Sequence, residues 1–165
     1  FTYFPPPEER MLVFADELGG QLATLLGGRA AEEVACGRIS SGASDDIKRA
    51  TSLAYRAIAE LGLSQKIGPL SLPALSAGEE DSLLLRQGGG NLEQAAEKEV
   101  TLLINRALLV AKEVVEMNLG LLEEMAVYLE EFEHIEGDLL YEYLDRTEIP
   151  PMLEDFVSSK HVWSS

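Results

Sequence analysis

The sequence predicts a mainly α-helical protein. Apolar residues recur at steps of three and four in several separate stretches, whereas no stretch keeps a convincing period-two alternation over several strands. A length of 165 residues suits one domain with a core large enough to fold alone. We expect one domain over residues 1–149 and a flexible tail over residues 150–165, because Pro150 and Pro151 end the packed pattern.

The first helix is expected from about residue 9 to residue 35. Leu18, Leu22 and Leu26 stand four residues apart and would lie on one face. Two glycine pairs weaken this helix, and the glycine after "RAAEEVAC" begins a turn. The pattern therefore predicts a helix followed by a short connection.

The second helix is expected over residues 44–61. Ser44 is a plausible N-cap, and Asp45 and Asp46 in the first turn favour the positive end of the helix dipole. Gly62 is expected to stop the helix in the left-handed conformation. The proline- and glycine-rich stretch that follows predicts a long loop around residues 63–90.

The C-terminal part is expected to form an antiparallel helical bundle over residues 92–144, packed against the two earlier helices. We expect its buried residues to be Leu102, Leu109, Leu122, Met125 and Leu129. On this interpretation the Leu109→Ala substitution costs about 2–5 kcal/mol of stability.

The charge balance excludes some classes of function. The net charge is −16, from 13 basic and 29 acidic side chains, so the surface repels nucleic acid and anionic lipid. No apolar run approaches the roughly 18 residues that span a bilayer, and we expect no direct membrane insertion by this chain. The single cysteine, Cys36, excludes an internal disulfide framework.

Asp45 and Asp46 allow two interpretations. They stabilise a helix start, or one of them is part of a metal site. Arg29, Glu32 and Glu33 allow a simpler one, an ion pair on a helix. The chain has two histidines, His134 and His161, and lacks the HExxH motif of zinc peptidases. No nucleophile–base set and no phosphate-binding loop can be argued, so no residue is assigned as catalytic.

Three stretches together resemble a known family. The first is "LLGGRAAEEVACGRISSGASDDIKRATSLAYRAIAELGLSQKIGPLSL", the second is "PPPEERM", and the third runs from "KEVTLLINRALL" to "EHIEGDLL". They resemble the C-terminal peptidase domain of FtsH, the membrane-anchored AAA+ zinc metalloprotease, over roughly residues 5–145. The wording "DELGGQLATLLGGRAAEE" is most similar to the plastid-type FtsH of plants and algae.

The resemblance implies roles for individual residues. It implies that Asp46 is the third zinc ligand, beside the two histidines of HExxH. It implies a structural role for Arg29, Glu32 and Glu33, which would hold helices around the site. Zinc is the cofactor of the intact family enzyme. Because the HExxH helix and the ATPase domain are not among these residues, we expect the chain alone to bind no zinc and to be inactive.

Two functions of different class remain open. In the first, the chain is an N-terminally incomplete part of the peptidase domain of an ATP-dependent zinc metalloendopeptidase in membrane protein quality control. In the second, it is a catalytically dead FtsH-like protein that serves as a structural or docking subunit of a larger organellar complex.

Both functions imply protein partners, in an FtsH-like ring or an organellar membrane complex, and no nucleic acid. The expected location is a plastid membrane, with a mitochondrial or bacterial membrane as the alternative. We also expect an uncovered apolar surface near Leu22, Leu26 and Ile47, where a flanking helix would pack.

Overall fold

The computed structural model describes residues 15–76 and 82–158, and within them every regular element is helical. The expectation of a mainly α-helical fold is confirmed. The α-helices are α1 (Ala15–Ala31), α2 (Ser44–Tyr55), α3 (Leu72–Ser76), α4 (Ser82–Met117), α5 (Leu119–Phe132), α6 (Gly137–Asp145) and α7 (Pro151–Val157). The start of the first predicted helix, residues 9–14, lies outside the described residues.

The core lies where α1, α2 and α4 meet. On α1 the buried residues recur every four positions, so a single stripe faces the interior. The predicted stripe of α1 is therefore confirmed. On α2 and the turn after it, small residues allow the helices to approach closely. The buried apolar residues of these three helices and of the turn after α2 include Leu18, Leu22, Leu26, Ala30, Ala50, Ala54, Ile58, Val100, Leu103, Ala107 and Val110.

Both α1 and α2 end in a π-helical turn. These turns cover Glu32–Cys36 and Arg56–Glu60, and a glycine follows each helix end in the left-handed region, with φ of 59° at Gly37 and 63° at Gly62. The expected stop at Gly62 is confirmed. A Cβ atom there would lie 2.8 Å from the Pro69 Cα atom, so only glycine fits this close approach without a shift.

The prediction that Leu102 and Leu109 of α4 are buried is wrong, because a different face of this helix lies in the core. Leu102 and Leu109 are exposed, whereas Leu103 and Val110, one position further along, are buried. Successive residues lie about 100° apart around a helix, so only one of the two stripes can face α1. The buried stripe includes Ala107 and other small residues, which let α4 approach α1 closely. Leu102 and Leu109 therefore lie beside the contact.

The expected burial of α5 is also wrong. No residue of α5 is buried, Leu122 and Leu129 are exposed, and Met125 is half-buried. This helix makes few close approaches to α4, and its Glu124 pairs at the surface with Arg146 after α6, so α5 adds no buried layer to the core. Tyr143 of α6 is buried, whereas Tyr141 and Leu144 on the same helix are exposed.

The predicted loop and tail are both shorter than expected. Within residues 63–90, α3 forms at Leu72–Ser76 and α4 begins at Ser82, so the glycine triplet lies inside a helix. Beyond Pro150, where a loose tail was expected, α7 packs against α1 and α4 and buries Phe156. Burial of the Phe156 side chain offsets the conformational entropy that this short helix loses on ordering. Pro150 is the N-cap of the helix and Pro151 is its first residue. Residues 159–165 lie outside the described residues.

The expected uncovered surface near Leu22 and Leu26 is wrong. Both leucines are almost completely buried, and Ile47 packs partly buried against the same core. Helices α1, α2 and α4 cover them together because their stripes converge on one interior. None of the described helices is long and apolar enough to cross a membrane.

Candidate functional site

The segment that carries Asp46 is a short loop followed by the first turn of α2. Ala43 occupies the N-cap and makes no side-chain cap bond, so the expected N-cap Ser44 is the first helical residue instead. The Ser44 backbone N–H donates to the Ser41 carbonyl at 3.1 Å, and that bond closes the turn before the helix. Asp45 and Asp46 therefore lie in the first turn, as the sequence predicts.

The Asp45 and Asp46 carboxylates are accessible and weakly paired. The Asp46 side chain is 47% exposed and lies 3.9 Å from an Arg49 nitrogen, whereas Asp45 is 90% exposed and lies 3.6 Å from the Lys48 nitrogen. Exposed pairs at such distances contribute little to stability. The Asp46 carboxylate is thus partly sheltered by the fold and still open to bind another group.

Glu32 connects the end of α1 with the loop before α2. Its carboxylate accepts the Ser40 backbone N–H at 2.9 Å and also accepts the Ser40 hydroxyl. The Ser40 Oγ in turn accepts the Gly42 N–H at 2.9 Å. The hydrogen bonds from Ser40, hydroxyl first and amide second, hold the pKa of Glu32 below its ordinary value.

Glu33 connects α1 with α4. Its carboxylate pairs with the Lys112 ammonium and accepts a hydrogen bond from the Arg29 Nε at 2.6 Å. The Glu33 side chain is 20% exposed, so solvent screens these pairs only in part. Lys112 first and Arg29 second hold the pKa of Glu33 below its ordinary value. Glu32 and Glu33 cannot be told apart from the sequence, yet Glu32 contacts the loop before α2 and Glu33 contacts α4.

The sequence did not predict that Ser40 and Lys112 are the partners of Glu32 and Glu33. Lys112 is distant from Glu33 in the chain, and a single lysine in a helical stretch carries no signal of its partner. Ser40 stands in "ISSGAS", where serine and glycine signal a turn, and that signal indicates local hydrogen bonding without identifying Glu32 as the acceptor.

Cysteine and histidine are the two other residue types in the chain that could take part in catalysis. Cys36 is exposed at the end of the π-helical turn. His134 is exposed after α5, where its Nδ1 lies 2.8 Å from the Phe132 carbonyl oxygen. His161 lies outside the described residues. These side chains give no support to a nucleophile–base pair.

The described residues alone do not fit a complete zinc site. A catalytic zinc takes three protein ligands and leaves one position open. In residues 15–76 and 82–158, no three histidine, cysteine, aspartate or glutamate side chains lie close enough to hold a metal. Asp46 can provide one oxygen ligand, and we derive no reaction step through zinc from these residues.

Residues 1–142 match the model of Peptidase family M41, and the chain belongs to this family. The suspected membership in the FtsH family is thereby confirmed.

Curated relatives agree with this assignment. The chain is 50% identical to the chloroplastic ATP-dependent zinc metalloprotease FTSH 7 of Arabidopsis thaliana, over 97% of the chain and 21% of that relative. It is 48% identical to the FTSH 7 protein of Oryza sativa subsp. japonica, over 97% of the chain and 20% of that relative. With the ATP-dependent zinc metalloprotease FtsH of Thermotoga maritima it shares 36% identity over 85% of the chain and 23% of the relative.

The plant proteins are chloroplastic by name, so the expected similarity to the plastid type is confirmed. The chain spans about a fifth of the length of these relatives, at 21% and 20%. It therefore corresponds to the peptidase part of a much longer type of protein.

Proposed function

We propose that this chain forms the Asp46-bearing part of the peptidase domain of an ATP-dependent zinc metalloendopeptidase in a plastid membrane. The observation that carries the proposal is 50% identity, over 97% of the chain, to a chloroplastic ATP-dependent zinc metalloprotease. Such a peptidase would act on membrane proteins that must be removed. The ATPase activity and the membrane anchor would come from parts of the protein outside these 165 residues.

The geometry at the start of α2 supports Asp46 as a zinc ligand. Its carboxylate is about half exposed, at 47%, and has only a weak contact to Arg49. A ligand carboxylate must be free of strong competing ion pairs yet fixed in direction, and the first turn of a helix provides a fixed backbone. The other zinc ligands would be histidines from outside this sequence, since these residues contain no HExxH motif.

The test compares Asp46→Asn with Asp45→Asn in the full-length protein. We expect Asp46→Asn to lower zinc content after dialysis and to abolish ATP-dependent cleavage of an unfolded protein substrate, because the amide is a much weaker zinc ligand. Asp45→Asn is the matched control and should retain both properties. Equal zinc content in the two variants would contradict the assignment of Asp46.

A second experiment separates the peptidase from a docking protein of the same family. The 165-residue chain by itself should hold no stoichiometric zinc after dialysis and should not cleave casein, because one carboxylate cannot replace a three-ligand site. The full-length protein should do both. A full-length protein that binds no zinc and cleaves nothing would favour the structural or docking subunit instead.

Exposed apolar side chains on α5 and α6 support a contact with other protein subunits. The two helices expose large side chains that the core does not cover, and on α5 Leu122, Leu129 and Phe132 share one face. Exposed apolar patches usually mark partner surfaces. The exposed residues on these helices include Leu122, Val127, Leu129, Phe132, Leu140, Tyr141 and Leu144. The partner would be another subunit of a ring or of a larger organellar membrane complex.

The contact is tested by placing a charge on that surface. Leu129→Glu should lower the assembly mass of the full-length protein in sedimentation, because a carboxylate is costly to bury at an interface. Ile39→Glu, an exposed apolar position outside α5 and α6, is the matched control. Unchanged mass in Leu129→Glu would contradict this surface as the contact.

A further inference from the structure

The neighbouring acids Glu32 and Glu33 make two separate sets of contacts. Glu33 contacts Arg29 and Lys112 and therefore fastens α1 to α4. Glu32 contacts Ser40 through both carboxylate oxygens and therefore fastens α1 to the loop before α2. Asp46 follows that loop directly. Of the two sets, therefore, only the Glu32 contacts hold the segment that leads to the proposed metal ligand.

Several hydrogen bonds lie along the backbone between Ser40 and the first turn of α2. The Glu32 carboxylate holds Ser40, and the Ser40 Oγ accepts the Gly42 N–H at 2.9 Å. The Ser44 N–H then bonds the Ser41 carbonyl at 3.1 Å, and the Ile47 N–H bonds the Ala43 carbonyl at 3.0 Å. Each bond fixes part of the backbone, so Glu32 restrains the loop that enters α2 just before Asp46.

Gly42 gives independent support for a tight fit. A Cβ atom at Gly42 would lie 3.1 Å from the Ser40 Oγ and 3.4 Å from the Glu32 Oε1. Its φ is not in the left-handed region, so the glycine is not required by backbone conformation. The close approach of the loop to Ser40 and the Glu32 carboxylate accounts for it.

The end of α1 gives Glu32 a rigid base. Ala30, two residues earlier, is completely buried in the core. The chain then enters the π-helical turn Glu32–Cys36, and such turns often occur at functional sites because they re-aim side chains. Gly37 ends the turn in the left-handed region at a φ of 59°, and the chain reverses toward Ser40.

We propose that Glu32 is a positioning residue that acts through Ser40 to fix the direction of Asp46. This inference rests on the proposed zinc-ligand role of Asp46. Glu32 touches neither metal nor substrate in this assignment. It holds the loop so that the backbone at Asp46 is placed before any metal binds, which reduces the ordering that binding would otherwise require.

The first measurement is amide hydrogen exchange in the full-length protein, followed in peptides over residues 38–44 and residues 100–111. Glu32→Gln and Ser40→Ala should raise exchange in residues 38–44 by about tenfold, because bonds to a charged acceptor are among the stronger hydrogen bonds. Exchange in residues 100–111 should stay unchanged. Ser40→Thr keeps both donors and should restore protection. Unchanged exchange in residues 38–44 of Glu32→Gln would overturn the proposal.

The second measurement is zinc retention against a chelator, made on the same variants. Glu32→Gln and Ser40→Ala should lose zinc about 10- to 100-fold more readily, the usual effect of removing a group that orients a ligand. Glu33→Gln is the matched control, and it should loosen residues 100–111 while keeping residues 38–44 protected. A looser loop with unchanged zinc retention would overturn the positioning role.

The two proposals can fail separately. If Asp46→Asn retains zinc as the native protein does, the ligand assignment fails, and with it the step from Glu32 to Asp46. If Asp46→Asn loses zinc while Glu32→Gln retains it, the ligand assignment stands and the positioning role alone is overturned.

Discussion

Asn118 and Glu148 exchange two hydrogen bonds although they lie 30 residues apart. The Asn118 Nδ2 donates to the Glu148 carbonyl at 2.9 Å, and the Glu148 N–H donates to the Asn118 Oδ1 at 2.8 Å. The same Nδ2 donates to the Val114 carbonyl at 2.8 Å. One side chain thus joins the end of α4 to the segment that leads into α7.

Asn118→Ala should loosen this junction. The substitution removes a donor and an acceptor to Glu148, and we expect a loss of about 1–2 kcal/mol, since each such bond contributes roughly 0.5–1.5 kcal/mol net. Urea unfolding measures the loss. Asn118→Asp keeps an acceptor for the Glu148 N–H but places its second oxygen against the Val114 and Glu148 carbonyls, so it should be no more stable than Asn118→Ala. An Asn118→Ala protein as stable as the native one would show that solvent replaces both bonds.

Leu103 and Leu109 separate the buried and exposed stripes of α4. Leu103 is buried and Leu109 is 58% exposed. Leu103→Ala should cost about 2–5 kcal/mol, because it leaves a cavity between α4 and α1. Leu109→Ala should remain within about 0.5 kcal/mol of the native protein in the same denaturant series. The reverse order would restore the core face that the sequence alone predicts.

Phe156 should fasten α7 to the core. Its side chain is 1% exposed and the Arg106 guanidinium lies 5.9 Å from its ring centroid. Phe156→Ala should cost about 3–5 kcal/mol, because the burial of a large aromatic surface is lost. Met152→Ala, at an exposed position on the same helix, is the control. Similar thermal unfolding of both variants would mean that α7 is not part of the cooperative unit.

Gly62 and Gly120 should respond oppositely to alanine. At Gly62 the φ is 63° and a Cβ atom would lie 2.9 Å from the Leu70 nitrogen, so Gly62→Ala should lose more than about 1 kcal/mol. At Gly120, inside α5, a Cβ atom meets nothing within 4 Å. Gly120→Ala should gain about 0.4–1 kcal/mol through the unfolded chain. Thermal unfolding of the two variants measures both signs.

Acid should break the ion pairs of Glu33 with Lys112 and Arg29. Lys112 and Arg29 lower the pKa of Glu33 in the folded protein, so the carboxylate contributes stability above its ordinary pKa of 4.5 and loses that contribution as the pH falls below it. The stability difference between the native protein and Glu33→Gln should therefore shrink as the pH falls below about 4.5. Glu130→Gln, an exposed position on α5, is the control. A difference that stays constant with pH would contradict the ion-pair role.

The sequence by itself determined where the first two helices lie and how they end. The four-residue spacing of Leu18, Leu22 and Leu26 defines a helix face, and Gly62 ends the second helix, because both signals act over a few neighbouring residues. The family motif "SGASDDIKRAT" likewise lies within one local segment. Its first-turn position for Asp46 follows from sequence order alone.

Only the tertiary structure decided which faces are buried and which charges meet. The Leu102 and Leu103 stripes of α4 are both apolar in sequence, and the fit of α4 against α1 selected the one with small neighbours. Glu32 and Glu33 are adjacent acids, yet one holds Ser40 and the other holds Lys112. Periodicity describes one element at a time, whereas burial and pairing depend on a second element brought close by the fold.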